Sequence, residues 1–138
     1  MANAPFSLIG IDHVVLRVTD MATMVEFYCD ILGGTVERQA EEFGLVQLRA
    51  GSSLVDLIDV DGKIGRNGGA APGSEGRNLD HFCLRIDRFE ETTLKKYLTG
   101  RGVCIGEMGS RYGADGVGLS LYINDPEGNT VELKGSPN

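Results

Sequence analysis

Residues 11–18 read IDHVVLRV, and residues 79–86 read LDHFCLRI. Both contain Asp-His-x-x-Leu-Arg, 68 positions apart in a chain of 138 residues. The chain has only two histidines, and both lie here. Self-similarity over half a chain points to a duplicated unit. The first copy reads as a strand over about 10–19, then a helix capped by Asp20 with Met21, Met24, Val25, Tyr28 and Ile31 or Leu32 along one stripe. Gly33-Gly34 stops that helix, and strands follow near 34–40, 43–50 and 53–60. The second copy repeats the plan: a strand at about 79–87, a helix at about 89–99 with Leu94, Tyr97 and Leu98 on one face, and strands near 103–109, 118–124 and 129–134. The last two are joined by NDPEGN, a turn in which Pro126 and Gly128 take the positions their backbones favour.

The expected fold class is therefore α+β, with two βαβββ modules in one domain spanning 1–138. Module 1 covers about 10–60 and module 2 about 79–135. Between them, DGKIGRNGGAAPGSEGRN (61–78) is Gly-rich and aperiodic, and reads as a mobile linker. Each module offers one apolar sheet face with a helix over it and cannot close a core alone, so the two are expected to pair.

Strand alternation assigns faces. In the first strand Val14, Leu16 and Val18 share the helix side, with His13, Val15 and Arg17 opposite. In the repeat Phe82, Leu84 and Ile86 share the helix side, with His81, Cys83 and Arg85 opposite. The closing strands SSLVDLIDV and NTVELKG put Asp56 and Glu132 on the histidine faces. Gln47, Arg49, Ser120, Tyr122 and Lys134 fall there too, whereas Asp12 points the other way and is expected to be structural. A sheet with one wet face explains Arg49 and Lys134. It does not explain why both histidines occupy equivalent positions, each with a carboxylate later in its own half. Two imidazoles with one or two carboxylates suit a divalent ion such as Ni, Zn, Mn, Co or Fe.

Composition narrows the partners. The net charge of −7 argues against nucleic acid and anionic membrane surfaces. No apolar run approaches the length of a membrane span, and MANAPFSLIG lacks the features of a secretion signal. Cys29, Cys83 and Cys104 form no CxxC pair, which suits reduced thiols in a cytoplasmic protein.

DHVVLRVTD running into FYCDILGG, then LDHFCLRI, then LYINDPEGNTVELKG carry a family likeness over nearly the whole chain. The sequence resembles the vicinal oxygen chelate superfamily, the glyoxalase/bleomycin-resistance/dioxygenase proteins. The resemblance implies a cup-shaped mixed sheet around one divalent metal ion, held by His13, His81 and Glu132. Asp56 occupies the variable fourth position, where it would bind directly, through water, or not at all. It also implies a homodimer acting on a small-molecule substrate, in some relatives with each site built across two chains. The leading expectation is a lyase or isomerase of glyoxalase type, with Glu132, or Asp56 if it is displaced, as catalytic base and Arg17, Arg85, Ser120 and Tyr122 orienting the substrate. Alternatives are a fosfomycin-type thiol transferase, an Fe(II) ring-cleaving dioxygenase, or a non-catalytic drug-binding protein of the bleomycin-resistance kind. GSRYGADGVG (109–118), with Arg111 and Tyr112 at its tip, is a candidate lid.

Overall fold

The computed structural model describes residues 4–137. Module 1 consists of β1 (His13–Val18), α1 (Met21–Glu26), β2 (Thr35–Ala40), β3 (Leu45–Ala50) and β4 (Ser53–Asp59). Module 2 consists of β5 (Phe82–Arg85), α2 (Glu91–Gly100), β6 (Ile105–Gly113), β7 (Gly116–Asn124) and β8 (Thr130–Lys134). The sheets repeat one topology, β1-β4-β3-β2 and β5-β8-β7-β6. The first strand of each module runs parallel to the last, and the other pairings are antiparallel. Both histidine segments consequently lie at a sheet edge. Among the described residues, no helix is long and apolar enough to cross a membrane.

The expected alternation is present. Leu16, Val18, Val55, Leu57, Leu121, Ile123, Val131 and Leu133 are buried in one cluster with Met24, Phe27 and Tyr28 of the first helical segment and Leu98 of α2. One core thus serves both modules, and the histidine faces look away from it. Asp20 caps α1 by accepting from the Thr23 amide at 3.1 Å, as its position in the sequence requires. Beyond Glu26 the helix widens into a π-helical turn, Phe27–Ile31, before Gly33 at φ +84° ends it.

Three expectations change. The stretch 109–118 is not a lid: β6 and β7 extend through it and meet in a tight turn at Ala114-Asp115, so its backbone is paired as a hairpin. The linker is anchored to module 1. Arg17 donates to the carbonyls of Gly65 (3.0 Å), Gly69 (2.7 Å) and Ala70 (3.0 Å), and a Cβ on Gly68 would fall within 2.4 Å of the guanidinium. Lys134 does not reach water: it is 6% exposed, and its Nζ donates to the carbonyls of Arg111 (2.5 Å) and Gly118 (3.2 Å).

The NDPEGN turn does more than reverse the chain. Asp125, buried, accepts from the Tyr28 hydroxyl at 2.8 Å. Glu127 accepts from the amides of Thr19 (2.9 Å) and Asp20 (2.7 Å), the start of α1. Asn129 accepts from Asn78, which also pairs with the Arg17 backbone. A turn in module 2 therefore clasps the strand-to-helix junction of module 1.

Candidate functional site

Each histidine stands in the same three-part arrangement. His13 Nδ1 lies 2.7 Å from Asp12 Oδ1, and its Nε2 faces Asp56 Oδ2 at 3.9 Å. His81 Nδ1 lies 2.5 Å from Asp80 Oδ2, and its Nε2 faces Glu132 Oε1 at 3.2 Å. The expectation that Asp12 points away is corrected. Both aspartates sit just before their strands, where alternation no longer governs, and each carboxylate turns onto the following imidazole. A carboxylate on Nδ1 fixes the ring and its tautomer and leaves Nε2 as the available donor atom. The Asp12 contact, followed by the charge of Asp56, raises the His13 pKa. The His81 contact lowers the pKa of Asp80.

The two carboxylates are buried, Asp56 at 4% and Glu132 at 6% exposure. Asp56 Oδ2 accepts from Gln47 Nε2 at 3.0 Å, and Gln47 is held in turn by Arg38 at 3.1 Å. Asp56 Oδ1 is buried with no hydrogen-bond partner. A buried carboxylate oxygen left unpaired is costly, so this atom is suited to a cation. Glu132 Oε2 accepts from Ser120 Oγ at 2.6 Å. Burial pushes the Glu132 pKa up, but the hydroxyls of Ser120 and Tyr122, then His81 and Cys83, outweigh it, and the net shift is downward. Glu132 is therefore ionised at neutral pH. Cys83, its register partner on β5, is pushed up to about 11 by burial and by that carboxylate, and stays a thiol.

The pairs are symmetry mates in register as well as in sequence. Gln47 lies opposite Asp56 across β3–β4, and Tyr122 lies opposite Glu132 across β7–β8. The Tyr122 ring stands edge-on to His81 with centroids 5.5 Å apart. Within one chain, however, the pairs stay on separate sheets. Among the described residues no three His, Cys, Asp or Glu side chains converge as a metal cage. The fold thus brings His13 to Asp56 and His81 to Glu132, but does not unite the four. The donors themselves fit a divalent ion of the nitrogen and oxygen preferring kind, with an orphaned oxygen and two oriented imidazoles.

The other expected residues divide. Ser120 and Tyr122 adjoin Glu132. Arg17 is committed to the linker carbonyls, and Arg85 is ion-paired with Asp115 at 2.5 Å. Two arginines not weighed for this role, Arg77 and Arg111, line an open recess beside His81 and Tyr122.

Comparison with known proteins points to one superfamily. A model of the Glyoxalase/Bleomycin resistance protein/Dioxygenase superfamily matches residues 10–133. The chain is 28% identical to virulence protein STM3117 of Salmonella typhimurium, over 89% of this chain and 81% of that protein. It is 26% identical to a Synechocystis protein named "Probable lactoylglutathione lyase", over 88% of this chain and 91% of that one. Among solved structures, VPC_CASS1 from the mobile metagenome of V. Pseudocholerae superposes with a TM-score of 0.78 at 26% identity, covering 96% of this chain and 98% of the other.

Proposed function

The chain belongs to the glyoxalase/bleomycin resistance protein/dioxygenase superfamily, and from that premise we propose that it is a divalent-metal enzyme of glyoxalase type, a lyase or isomerase acting on a small substrate with two neighbouring oxygens. The observation that carries this reading is the repeated triad: an aspartate on Nδ1, a histidine, and a buried carboxylate before Nε2. Structural histidines seldom need an Nε2 aimed at a buried carboxylate twice. The ligands are His13, Asp56, His81 and Glu132. A bound ion supplies Lewis-acid polarisation of the substrate oxygens. The residues of the chain do the rest. Glu132, ionised and adjacent to His81, accepts the proton from the substrate carbon and returns it. Ser120 holds the second Glu132 oxygen, fixing which one faces the substrate. Tyr122 closes the wall beside the imidazole.

The separation of the half-sites supports a homodimer in which His13 and Asp56 of one copy meet His81 and Glu132 of another. β1 and β5 are both sheet edges, and unpaired edges invite pairing. Leading into β1, Phe6, Leu8, Ile9 and Ile11 are exposed, with Val15 beyond them on the strand, an apolar surface of the kind a partner covers. Reduced cytoplasmic thiols fit the three free cysteines.

The test is to load the protein with Ni(II), Zn(II), Co(II) or Mn(II) and assay isomerisation of the methylglyoxal–thiol hemithioacetal. Catechol with oxygen uptake, and fosfomycin with thiols, serve as parallel arms. Turnover of the hemithioacetal alone is expected. Turnover in another arm moves the chemistry within the superfamily. Absence of any metal binding rejects the enzyme in favour of a binding protein.

A further inference from the structure

Asp56 belongs to a row of side chains that crosses the first sheet. Val15 on β1, Asp56 on β4, Gln47 on β3 and Arg38 on β2 are successive register partners, and partners directly opposite each other share a face. The row depends on an irregularity in β2. Thr35 and Val36 lie opposite Arg49 and Leu48, so an unbroken register would set Glu37 opposite Gln47. A bulge between Val36 and Arg38 skips one residue, and Arg38 stands there instead. Glu37 pairs with Arg49 at 3.1 Å. Bulges re-aim side chains in this way and are over-represented beside active sites.

The bulge reverses the sign of the group behind Gln47. A carboxylate there would take the Gln47 amide hydrogens and turn the amide oxygen towards Asp56. A guanidinium has donors only. It can meet only Gln47 Oε1, as Arg38 does at 3.1 Å, which leaves Nε2 to donate to Asp56 Oδ2 at 3.0 Å. Among the described residues, this is the one hydrogen bond of the Arg38 side chain. One oxygen of Asp56 is thereby occupied. The other, Oδ1, is the buried oxygen without a partner.

We infer that Arg38 and Gln47 are positioning residues for the metal site. Arg38 fixes the orientation of the Gln47 amide, Gln47 ties down Asp56 Oδ2, and Oδ1 is kept as the ligand atom. This rests on the reading of His13–Asp56 as half of the metal site. It adds how Asp56, one methylene shorter than Glu132, is made to serve as a direct ligand.

Simple electrostatics and the relay give opposite signs. Removing or reversing a positive charge near a cation site tightens cation binding, whereas breaking the relay weakens it. Zn(II) affinity of the full chain is measured by titration calorimetry. Arg38→Glu and Gln47→Met are each expected to weaken it about tenfold. Arg38→Lys, which still donates to Oε1, should restore the wild-type affinity. The Gln47→Met loss should vanish when Asp56→Asn is already present, because Gln47 acts through that carboxylate. Co(II) absorption gives an independent signature: the Gln47→Met spectrum should move towards that of Asp56→Asn. Arg38 is exposed, so its variants decide the outcome even if Gln47→Met folds poorly. Tighter or unchanged Zn(II) binding in Arg38→Glu overturns the relay and leaves the metal site standing. A Gln47→Met loss that persists in the Asp56→Asn background does the same. A wild-type chain that takes up neither ion overturns the metal site and the relay together.

Discussion

Asp12 and Asp80 precede the two histidines and touch no position a metal would occupy, yet each sets the ring behind it. Replacing either by Asn keeps the shape and weakens the charge on Nδ1. Asp12→Asn and Asp80→Asn are expected to weaken Zn(II) or Ni(II) binding about 10- to 100-fold, measured by isothermal titration, with the far-ultraviolet dichroism unchanged. Unaltered affinity would show that the rings are oriented by packing alone. Tyr28 offers a residue-scale test away from the site. Its hydroxyl is buried against Asp125, and burial first, then the Asp125 charge, drives its pKa far upward. The folded pKa is raised, so the contribution to stability is complete below the unfolded tyrosine value of about 10 and is lost as pH rises past it. Tyr28 should not contribute to the 295 nm absorbance change until the chain unfolds. Tyr28→Phe should therefore leave the folded-state titration amplitude unaltered while costing about 1 kcal/mol. At this scale the sequence was half legible. Alternation placed His13, Asp56 and Glu132 on the faces they occupy because a strand has only two, and His81, one residue ahead of β5, was located by the repeat. Alternation misdirected Asp12 and passed over Asp80, because both lie outside the strands, and it could not say that Arg17 reaches for linker carbonyls. A long side chain has too many rotamers for its face to fix its partner.

Among the elements, the strands and helices were legible wherever apolar periodicity was strong, and the glycine-rich stretches were not. Glycine looks the same in a sequence whether it frees a backbone or makes room for a neighbour, and here most of the informative ones make room. Gly65 is the clearest: a Cβ there would lie 1.9 Å from the Asp59 carbonyl oxygen, so the linker turn rests directly on the end of β4. Gly113 accommodates Lys134, whereas Gly73 faces open space. Gly113→Ala should push the Lys134 side chain off the Arg111 and Gly118 carbonyls and destabilise the fold by about 1–3 kcal/mol. Gly73→Ala should be neutral or stabilising by about 0.5 kcal/mol. Urea denaturation of both variants checks this. Equal midpoints would mean that the hairpin relaxes freely and that 109–118 is as soft as a loop reading implies. The NDPEGN turn makes the same point. Its turn chemistry was readable, but its clasp on Thr19, Asp20 and Tyr28 joins residues roughly a hundred positions apart, which no local pattern encodes.

For the whole molecule, the decisive fact is that one core binds the two modules back to back, leaving each His–carboxylate pair on an outward face. The duplication was legible from the repeated Asp-His-x-x-Leu-Arg, but the direction in which the modules pair was not, since either arrangement buries the same apolar faces. If the four ligands unite only between copies, complementation must occur. His13→Ala destroys the module 1 half of every site, and His81→Ala the module 2 half, so either variant alone should bind no metal tightly. In a mixed dimer one site combines both defects. The other combines the intact module 2 of the first variant with the intact module 1 of the second. Equal mixing and subunit exchange make about half the dimers mixed, each with one good site of two. The mixture should recover about a quarter of the wild-type metal content, and hemithioacetal turnover in the same proportion. Exchange is verified independently by native mass spectrometry with one variant isotopically labelled. Verified mixed dimers without recovered metal would mean that each chain completes its own site, and the back-to-back arrangement would then have to open before the ion binds.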